Sequence, residues 1–88
     1  MAKYQITFSS KAEKDLARIQ KDKKLLKKVQ GLLELIEQDP YAKNPPYGRL
    51  KGKLNGFYSR RINIQHRLVY KVVGEKVLVI SLWSHYEF

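Results

Sequence analysis

The sequence contains no cysteine, few acidic residues and no long apolar run, and each absence excludes a class of protein. Without cysteine there is no disulfide and no thiolate metal site. The two histidines, His66 and His85, stand far apart, so we expect neither a structural zinc site nor a cofactor. No segment approaches the roughly 20 apolar residues that span a bilayer, and the start of the chain has no signal-peptide run. We therefore expect a soluble, cytoplasmic protein without a membrane partner.

Acidic residues are scarce relative to basic ones. Eight Asp and Glu face 18 Lys and Arg, which gives a net charge of +10 over 88 residues. So large a charge on one small domain, residues 1–88, makes polyanions the natural partners. Charge alone leaves three partners or roles open, which are a nucleic acid, an acidic protein and a solvated surface kept for solubility.

The spacing of apolar residues predicts one strand, a helical hairpin and then a sheet. Residues 4–8 alternate with the period of a half-buried strand. A capping box at 10–13 starts a helix, and after a polar break a second amphipathic helix ends before Pro40. Residues 47–83 hold three or four strand patterns. We predict an α+β fold in which the helices cover one face of a twisted antiparallel sheet and leave the other face open.

The stretch 55–70 predicts a β-hairpin that carries three arginines. An Asn-Gly pair opens it, and β-branched and aromatic residues follow. Arg60 and Arg61 must face opposite sides of their strand, so one can line a site while the other packs over apolar surface. A three-residue loop would place Arg61 and Arg67 on one face. Guanidinium groups hold phosphate through two parallel hydrogen bonds, which favours a nucleic-acid ligand.

Further basic residues flank this hairpin. Arg49, Lys51 and Lys53 recur at period two in a segment predicted to be extended, so we expect a basic stripe that binds RNA. The lysines of 21–28 crowd the helix junction and the outer face of the second helix. RNA contact is open to them, but a solvated helix face is the commoner role of lysine.

An arginine and a histidine, Arg67 and His85, could take part in RNA cleavage without a metal. Such a reaction needs groups that take the 2′-hydroxyl proton, protonate the 5′-oxygen and stabilise charge at phosphorus. Arg67, at the start of an apolar strand, is the best phosphate ligand, with a buried salt bridge as its alternative role. His85 titrates near neutrality and lies near the end of the last predicted strand, although a histidine so close to the terminus is often incidental.

Three motifs together resemble the Txe/YoeB toxins of the RelE superfamily. They are Gly-Phe-Tyr-Ser-Arg-Arg-Ile at 56–62, His-Arg-Leu-Val-Tyr at 66–70 and His85-Tyr86. The order of strand, helical hairpin and sheet agrees over nearly the whole chain. The resemblance implies a RelE-like fold and a toxin that cuts mRNA in the A site of the 70S ribosome. It also implies attack by the 2′-hydroxyl, which leaves a 2′,3′-cyclic phosphate and requires no metal.

The same resemblance implies roles for single residues. Arg67 would stabilise the phosphate, His85 would be the general acid, and Tyr86 would orient or stack on the substrate. Lys51 and the two arginines of the Ser-Arg-Arg motif would hold the RNA backbone. The implied partners are the ribosome with its mRNA and an acidic YefM- or Phd-like antitoxin that masks the site, and the sequence is also compatible with a homodimer.

The chain departs from this pattern at Gly48. Relatives typically carry a glutamate there, two residues before a leucine-lysine pair, and this glutamate is the general base. Glycine accepts no proton, which leaves three expectations: a weakened enzyme, a base role for His85, or reliance on the ribosome and substrate positioning.

Two other functions fit the same scaffold. ParE-like relatives inhibit DNA gyrase by binding it and generally lack the terminal His-Tyr pair. A plain RNA-binding domain would need the basic surface but not His85.

Overall fold

The computed structural model describes residues 3–44 and 46–84, which form two helices on one face of a five-stranded sheet. The helices are α1 (Ser10–Ile19) and α2 (Lys23–Gln38), and neither is long and apolar enough to cross a bilayer. The strands are β1 (Gln5–Phe8), β2 (Gly48–Arg49), β3 (Phe57–Arg61), β4 (Arg67–Val73) and β5 (Lys76–Ser84). The predicted α+β architecture is confirmed.

The strands lie in the order β1-β5-β4-β3-β2. β2 to β5 pair antiparallel as predicted, whereas β1 pairs in parallel with β5, with Ile6 opposite Val77. The two helices carry the chain from β1 at one edge of the sheet to β2 at the opposite edge. β4 and β5 therefore lie inside the sheet, and the short β2 forms one of its edges.

The core lies between the helices and one face of the sheet. Each helix turns an apolar stripe inward, and the alternate residues of β4 and β5 meet it. The buried residues of this core cluster are Ala12, Ile19, Leu25, Val29, Leu32, Ile36, Ile62, Leu68, Tyr70, Val77, Val79 and Leu82. A fully buried aliphatic side chain of this kind stabilises the fold by about 1.5–3 kcal/mol. The opposite face of β3 and β4 is left to carry functional side chains.

The first helix begins one residue earlier than the capping-box prediction. Ser9, not Ser10, is the N-cap, because its hydroxyl accepts a hydrogen bond from the Ala12 amide at 3.1 Å. The same hydroxyl donates to the Ile80 carbonyl at 3.0 Å, which ties the start of α1 to β5. With two adjacent serines the sequence could not indicate which one faces the sheet.

A buried carboxylate fixes the end of β5. Asp15 of α1 is 5 % exposed, and its Oδ2 accepts hydrogen bonds from the amides of Leu82 at 2.9 Å and Trp83 at 3.1 Å. Successive amides of a regular strand point in opposite directions, so this double contact requires the irregular β4–β5 register that is present around Val69. The Lys11 ammonium donates to the same oxygen at 2.9 Å. Asp15 therefore holds the last residues of β5 in place.

This clamp predicts a pH-dependent stability. Burial raises the pKa of Asp15, but the hydrogen bonds from Leu82, Lys11 and Trp83 outweigh it, and the pKa lies below its ordinary value of 3.8. A carboxyl with a depressed pKa stabilises the fold above its unfolded-state pKa and loses that effect as the pH falls through its folded-state value. We expect Asp15→Asn to lower the free energy of unfolding by about 1–3 kcal/mol near neutral pH.

Urea unfolding of both proteins, near neutrality and again in acid, checks this expectation. The difference between parent and variant should shrink as the pH falls below 3.8 and through the lower folded-state pKa of Asp15, because the parent carboxyl then becomes protonated as well. An equal difference at both pH values would show that the charge of Asp15 contributes nothing.

Candidate active site

The β3–β4 hairpin places two arginines side by side. Arg61 and Arg67 are direct cross-strand partners, and their neighbours Ile62 and Leu68 are buried in the core. Because side chains alternate along a strand, both arginines lie on the face opposite the helices. Arg61 is exposed and Arg67 is half-buried. The predicted shared face is confirmed, and two cationic side chains stand next to each other on it.

The loop between these strands is held by its own polar groups. The amides of Ile62 and Asn63 donate to the His66 carbonyl at 3.0 and 3.3 Å. The Asn63 side-chain oxygen accepts from the amides of Gln65 and His66 at 2.9 and 2.7 Å. The His66 ring lies 4.0 Å from the Trp83 ring, centroid to centroid. The ends of β3 and β4, and with them the paired arginines, are thereby fixed.

Gly48 lies next to the arginines on the same face. It pairs with Ser59 across β2 and β3, and Ser59 stands two residues before Arg61. Cross-strand partners and residues two apart share a face, so a side chain at position 48 would project beside Arg61. Gly48 belongs to a strand and not to the glycines with positive φ, which in the described ranges are Gly52, Gly56 and Gly74.

A cleft of about 700 Å³ joins these groups at the β2 edge of the sheet. It lies where residues 46–48 run beside the end of β3. Its lining residues are Lys28, Pro46, Tyr47, Gly48, Ser59, Arg61, Ile62, Asn63, Ile64 and Arg67. The cleft thus gathers three cationic side chains, which suits a phosphodiester backbone.

Lys28 is the cationic residue of this cleft for which the sequence favoured a different role. It belongs to the lysine run of 21–28, for which a solvated helix face was the favoured interpretation. Its position next to Val29 and one turn from Leu32, both buried, borders the stripe that α2 packs on the sheet. That position was the available signal, since a lysine at the border of a buried stripe can reach over the sheet edge.

Arg60 is buried, contrary to its predicted place on the RNA-binding surface. It is 1 % exposed, and its guanidinium donates to the Pro40 carbonyl at 3.1 Å, the Ala42 carbonyl at 2.8 Å and the Tyr70 hydroxyl at 3.1 Å. It also lies 5.0 Å from the centroid of the Tyr47 ring. Because side chains alternate along β3, Arg60 points to the helix side and Arg61 points to the opposite face, where it is exposed.

Tyr70 completes this buried cluster. Burial raises the pKa of its phenol, against the opposing effect of the Arg60 hydrogen bond, so the group stays protonated at neutral pH. Its hydroxyl donates to the Pro40 carbonyl at 2.6 Å. Arg60 and Tyr70 therefore anchor the segment that leaves α2 and forms one wall of the cleft.

The predicted stripe of Arg49, Lys51 and Lys53 does not form. β2 ends at Arg49, and the chain turns into a 3-10 helix at Gly52–Leu54, with Gly52 at a φ of 71°. The period-two argument fails because it required an extended strand through 53. All three side chains are nevertheless exposed. Their binding of RNA stays a prediction.

The remaining predicted site residues, His85 and Tyr86, lie outside the described residues. The backbone of Ser84, which immediately precedes His85, pairs with Arg67 at the end of β5. The described sheet therefore brings the chain to the arginine pair one residue before the terminal motif.

Comparison with known proteins agrees with this geometry. Residues 8–86 match the YoeB-like toxins of bacterial type II toxin-antitoxin systems. The chain is 44% identical to Toxin YoeB of Synechocystis sp. over 68 residues, which cover 77% of this chain and 79% of that toxin.

Solved structures are similar as well. A YoeB–YefM complex from Staphylococcus aureus aligns at a TM-score of 0.83 and 39% identity, and covers 97% of this chain and 100% of that one. A YoeB dimer from the same species aligns at 0.82 and 40%, with the same coverage.

This chain belongs to the YoeB family. It is a toxin of a type II toxin-antitoxin system, and the family expected from its three motifs is confirmed. YoeB-family toxins are generally endoribonucleases, and the paired arginines and basic cleft lie on a fold of the same kind.

The adjacent arginines of β3 should respond differently to truncation. Arg60→Ala removes the hydrogen bonds that Arg60 donates to the Pro40 and Ala42 carbonyls and to the buried Tyr70 phenol, and we expect it to lower the free energy of unfolding by about 3 kcal/mol or more. Arg61→Ala removes an exposed side chain and should change stability by no more than about 0.5 kcal/mol. Urea unfolding of the two variants measures both values, and similar losses would contradict the assigned burial.

Proposed function

We propose that this toxin is a ribosome-dependent endoribonuclease that cuts mRNA in the A site. The observation that carries the proposal is the direct pairing of Arg61 with Arg67 in a cleft that Lys28 also lines. A phosphodiester backbone has the charge and the size that such a cleft accepts.

The reaction uses the nucleophile of the substrate itself. The 2′-hydroxyl oxygen attacks the adjacent phosphorus, its proton leaves to a base, and the bond from phosphorus to the 5′-oxygen breaks. Arg67 stabilises the extra negative charge on the phosphoryl oxygens, and Arg61 holds the backbone. His85 protonates the departing 5′-oxygen, and Tyr86 orients or stacks on the substrate. The products are a 2′,3′-cyclic phosphate and a 5′-hydroxyl.

Dependence on the ribosome follows from the small number of acid–base groups. In-line attack requires the 2′-hydroxyl, phosphorus and 5′-oxygen to be aligned, and single-stranded RNA rarely adopts that geometry. Holding reactants in an attack geometry is worth several orders of magnitude in rate. The ribosome supplies this alignment by bending the message in its A site, and the basic surface of the toxin supplies affinity.

Position 48 distinguishes this toxin from the family pattern. Gly48 stands on the face of Arg61 where the family carries its glutamate base, so the proton acceptor of the first step is missing. We expect slower cleavage, with His85 or the ribosome taking the proton.

The partner of the toxin in the cell is an acidic antitoxin. The Staphylococcus aureus relative was solved with YefM, and the +10 charge of this chain favours a partner of opposite sign. An acidic disordered segment that folds over the cleft would mask the arginine pair. A homodimer, as solved for the same species, is also part of the proposal.

Primer extension on mRNA from an in-vitro translation reaction tests the function. We expect new 5′ ends at A-site codons when ribosomes are present, and little cleavage of the same RNA alone. Intact mRNA would refute the proposal. Inhibition of DNA gyrase with intact mRNA would instead support the ParE-like function.

Arg67→Ala should abolish most cleavage without unfolding the protein. Removal of one preorganised charge from a transition-state site costs on the order of 10²–10³ in rate. Single-turnover cleavage on programmed ribosomes measures the rate, and urea unfolding measures the stability. If Arg67→Ala cut at the parent rate, Arg67 would be a structural residue.

Gly48→Glu should accelerate cleavage by restoring a proton acceptor beside Arg61. General acid–base groups contribute roughly 10²–10⁴-fold, so we expect at least about a tenfold gain in the single-turnover rate. Gly48 lies in a strand and is not among the glycines with positive φ, and affinity for the ribosome should change little.

Gly48→Gln is the matched control, because it has the same size and accepts no proton at neutral pH. If the Glu and Gln variants cut equally fast, position 48 is not the site of a missing base.

A further inference from the structure

A second, smaller recess adjoins the cleft. It has a volume of about 350 Å³ and is lined by Lys43, Pro46, Tyr47 and Arg49. Pro46 and Tyr47 line both the recess and the cleft, so the two spaces are neighbours that share one wall. Lys43 and Arg49 are exposed, and Tyr47 is half-buried. The recess is therefore lined by one aromatic ring and two cationic side chains.

The Tyr47 ring is held in position by contacts with Tyr58 and Arg60. It packs edge to face on Tyr58, with centroids 5.3 Å apart and planes at 87°. The Arg60 guanidinium lies over the ring, 5.0 Å from its centroid. Tyr58 in turn contacts the rings of Tyr41 at 5.8 Å and Tyr70 at 5.7 Å. A ring fixed in this way loses little conformational freedom when a ligand stacks on it.

The combination of ring and cations fits a nucleotide. A nucleobase stacks on an aromatic face irrespective of sequence, and Arg or Lys beside it pairs with phosphate. An acidic peptide would use the two cations but would leave the tyrosine ring without a matching group. The chemistry of the recess therefore favours RNA over a carboxylate-rich segment.

We propose that this recess binds the mRNA nucleotide adjacent to the cut, with its base on Tyr47 and its phosphate between Lys43 and Arg49. The inference rests on the proposed function, because it takes the phosphate that is cut to lie at Arg61 and Arg67. The inference assigns Arg49 to a particular phosphate, whereas the predicted basic stripe assigned it only to RNA in general. It also adds Lys43 and Tyr47 to the substrate-binding surface.

Binding without cleavage separates this inference from the proposed function. The probe is a ribosome programmed with mRNA whose cut nucleotide lacks the 2′-hydroxyl, and affinity is measured for the full-length toxin and its variants. Tyr47→Leu should weaken binding roughly tenfold or more, whereas Tyr47→Phe keeps the ring and should stay within about threefold. Arg49→Ala should weaken binding more than Lys23→Ala, a charge-matched control at the exposed start of α2.

A base-free substrate shows whether Tyr47 contacts that nucleobase. With an abasic nucleotide next to the cut, on either side in turn, the parent should lose affinity on one side only, and Tyr47→Leu should show no further loss there. Urea unfolding verifies that the Leu variant is folded.

Three outcomes would overturn the inference. They are parent-like binding by Tyr47→Leu, an equal abasic penalty in parent and Leu variant, and weaker antitoxin binding by Arg49→Ala with unchanged ribosome affinity. Failure of the parent to cut normal mRNA, while these affinity differences persist, would instead contradict the proposed nuclease activity alone.

Discussion

The buried guanidinium of Arg60 is the contact on which the cleft depends. It joins β3 to the Pro40 and Ala42 carbonyls, which belong to the segment between α2 and β2. A buried charge is tolerated only where its hydrogen bonds are made, and removing a partner of such a group costs several kcal/mol. The segment between α2 and β2 must therefore pack against β3 for the hydrogen bonds of Arg60 to form. Tyr47, which Arg60 also contacts, then lies between the cleft and the recess beside it.

The alternation of side chains along β3 explains why two adjacent arginines have different roles. Arg60 points to the helix side and stabilises the fold, and Arg61 points to the opposite face, where it pairs with Arg67. The same alternation places Gly48 beside Arg61. The basic cleft is thus a product of register. A shift of one residue in the β3–β4 pairing would bury Arg61 and expose its neighbour.

Local patterns in the sequence predicted much of this arrangement. Apolar spacing indicated both helices, and a three-residue loop between the two strands predicted that Arg61 and Arg67 share a face, while the register of the hairpin was left open. Tertiary contacts decided the rest. Either arginine of β3 could have been the buried one, because burial depends on which side the helices cover. The predicted basic stripe ends where the chain turns at Gly52. A solvated face was favoured for Lys28, because its place in the cleft depends on how α2 packs on the sheet.

Cleavage by the 2′-hydroxyl of the substrate is tested most directly by the ends of the RNA fragments. Programmed ribosomes would be given mRNA with either ribose or 2′-deoxyribose at the cut nucleotide, and the fragments would be identified by mass spectrometry. We predict a 2′,3′-cyclic phosphate and a 5′-hydroxyl from the ribose substrate and no cleavage of the deoxyribose substrate. Cleavage of the deoxyribose substrate, or fragments ending in a 3′-hydroxyl and a 5′-phosphate, would contradict the mechanism assigned to the arginine cleft.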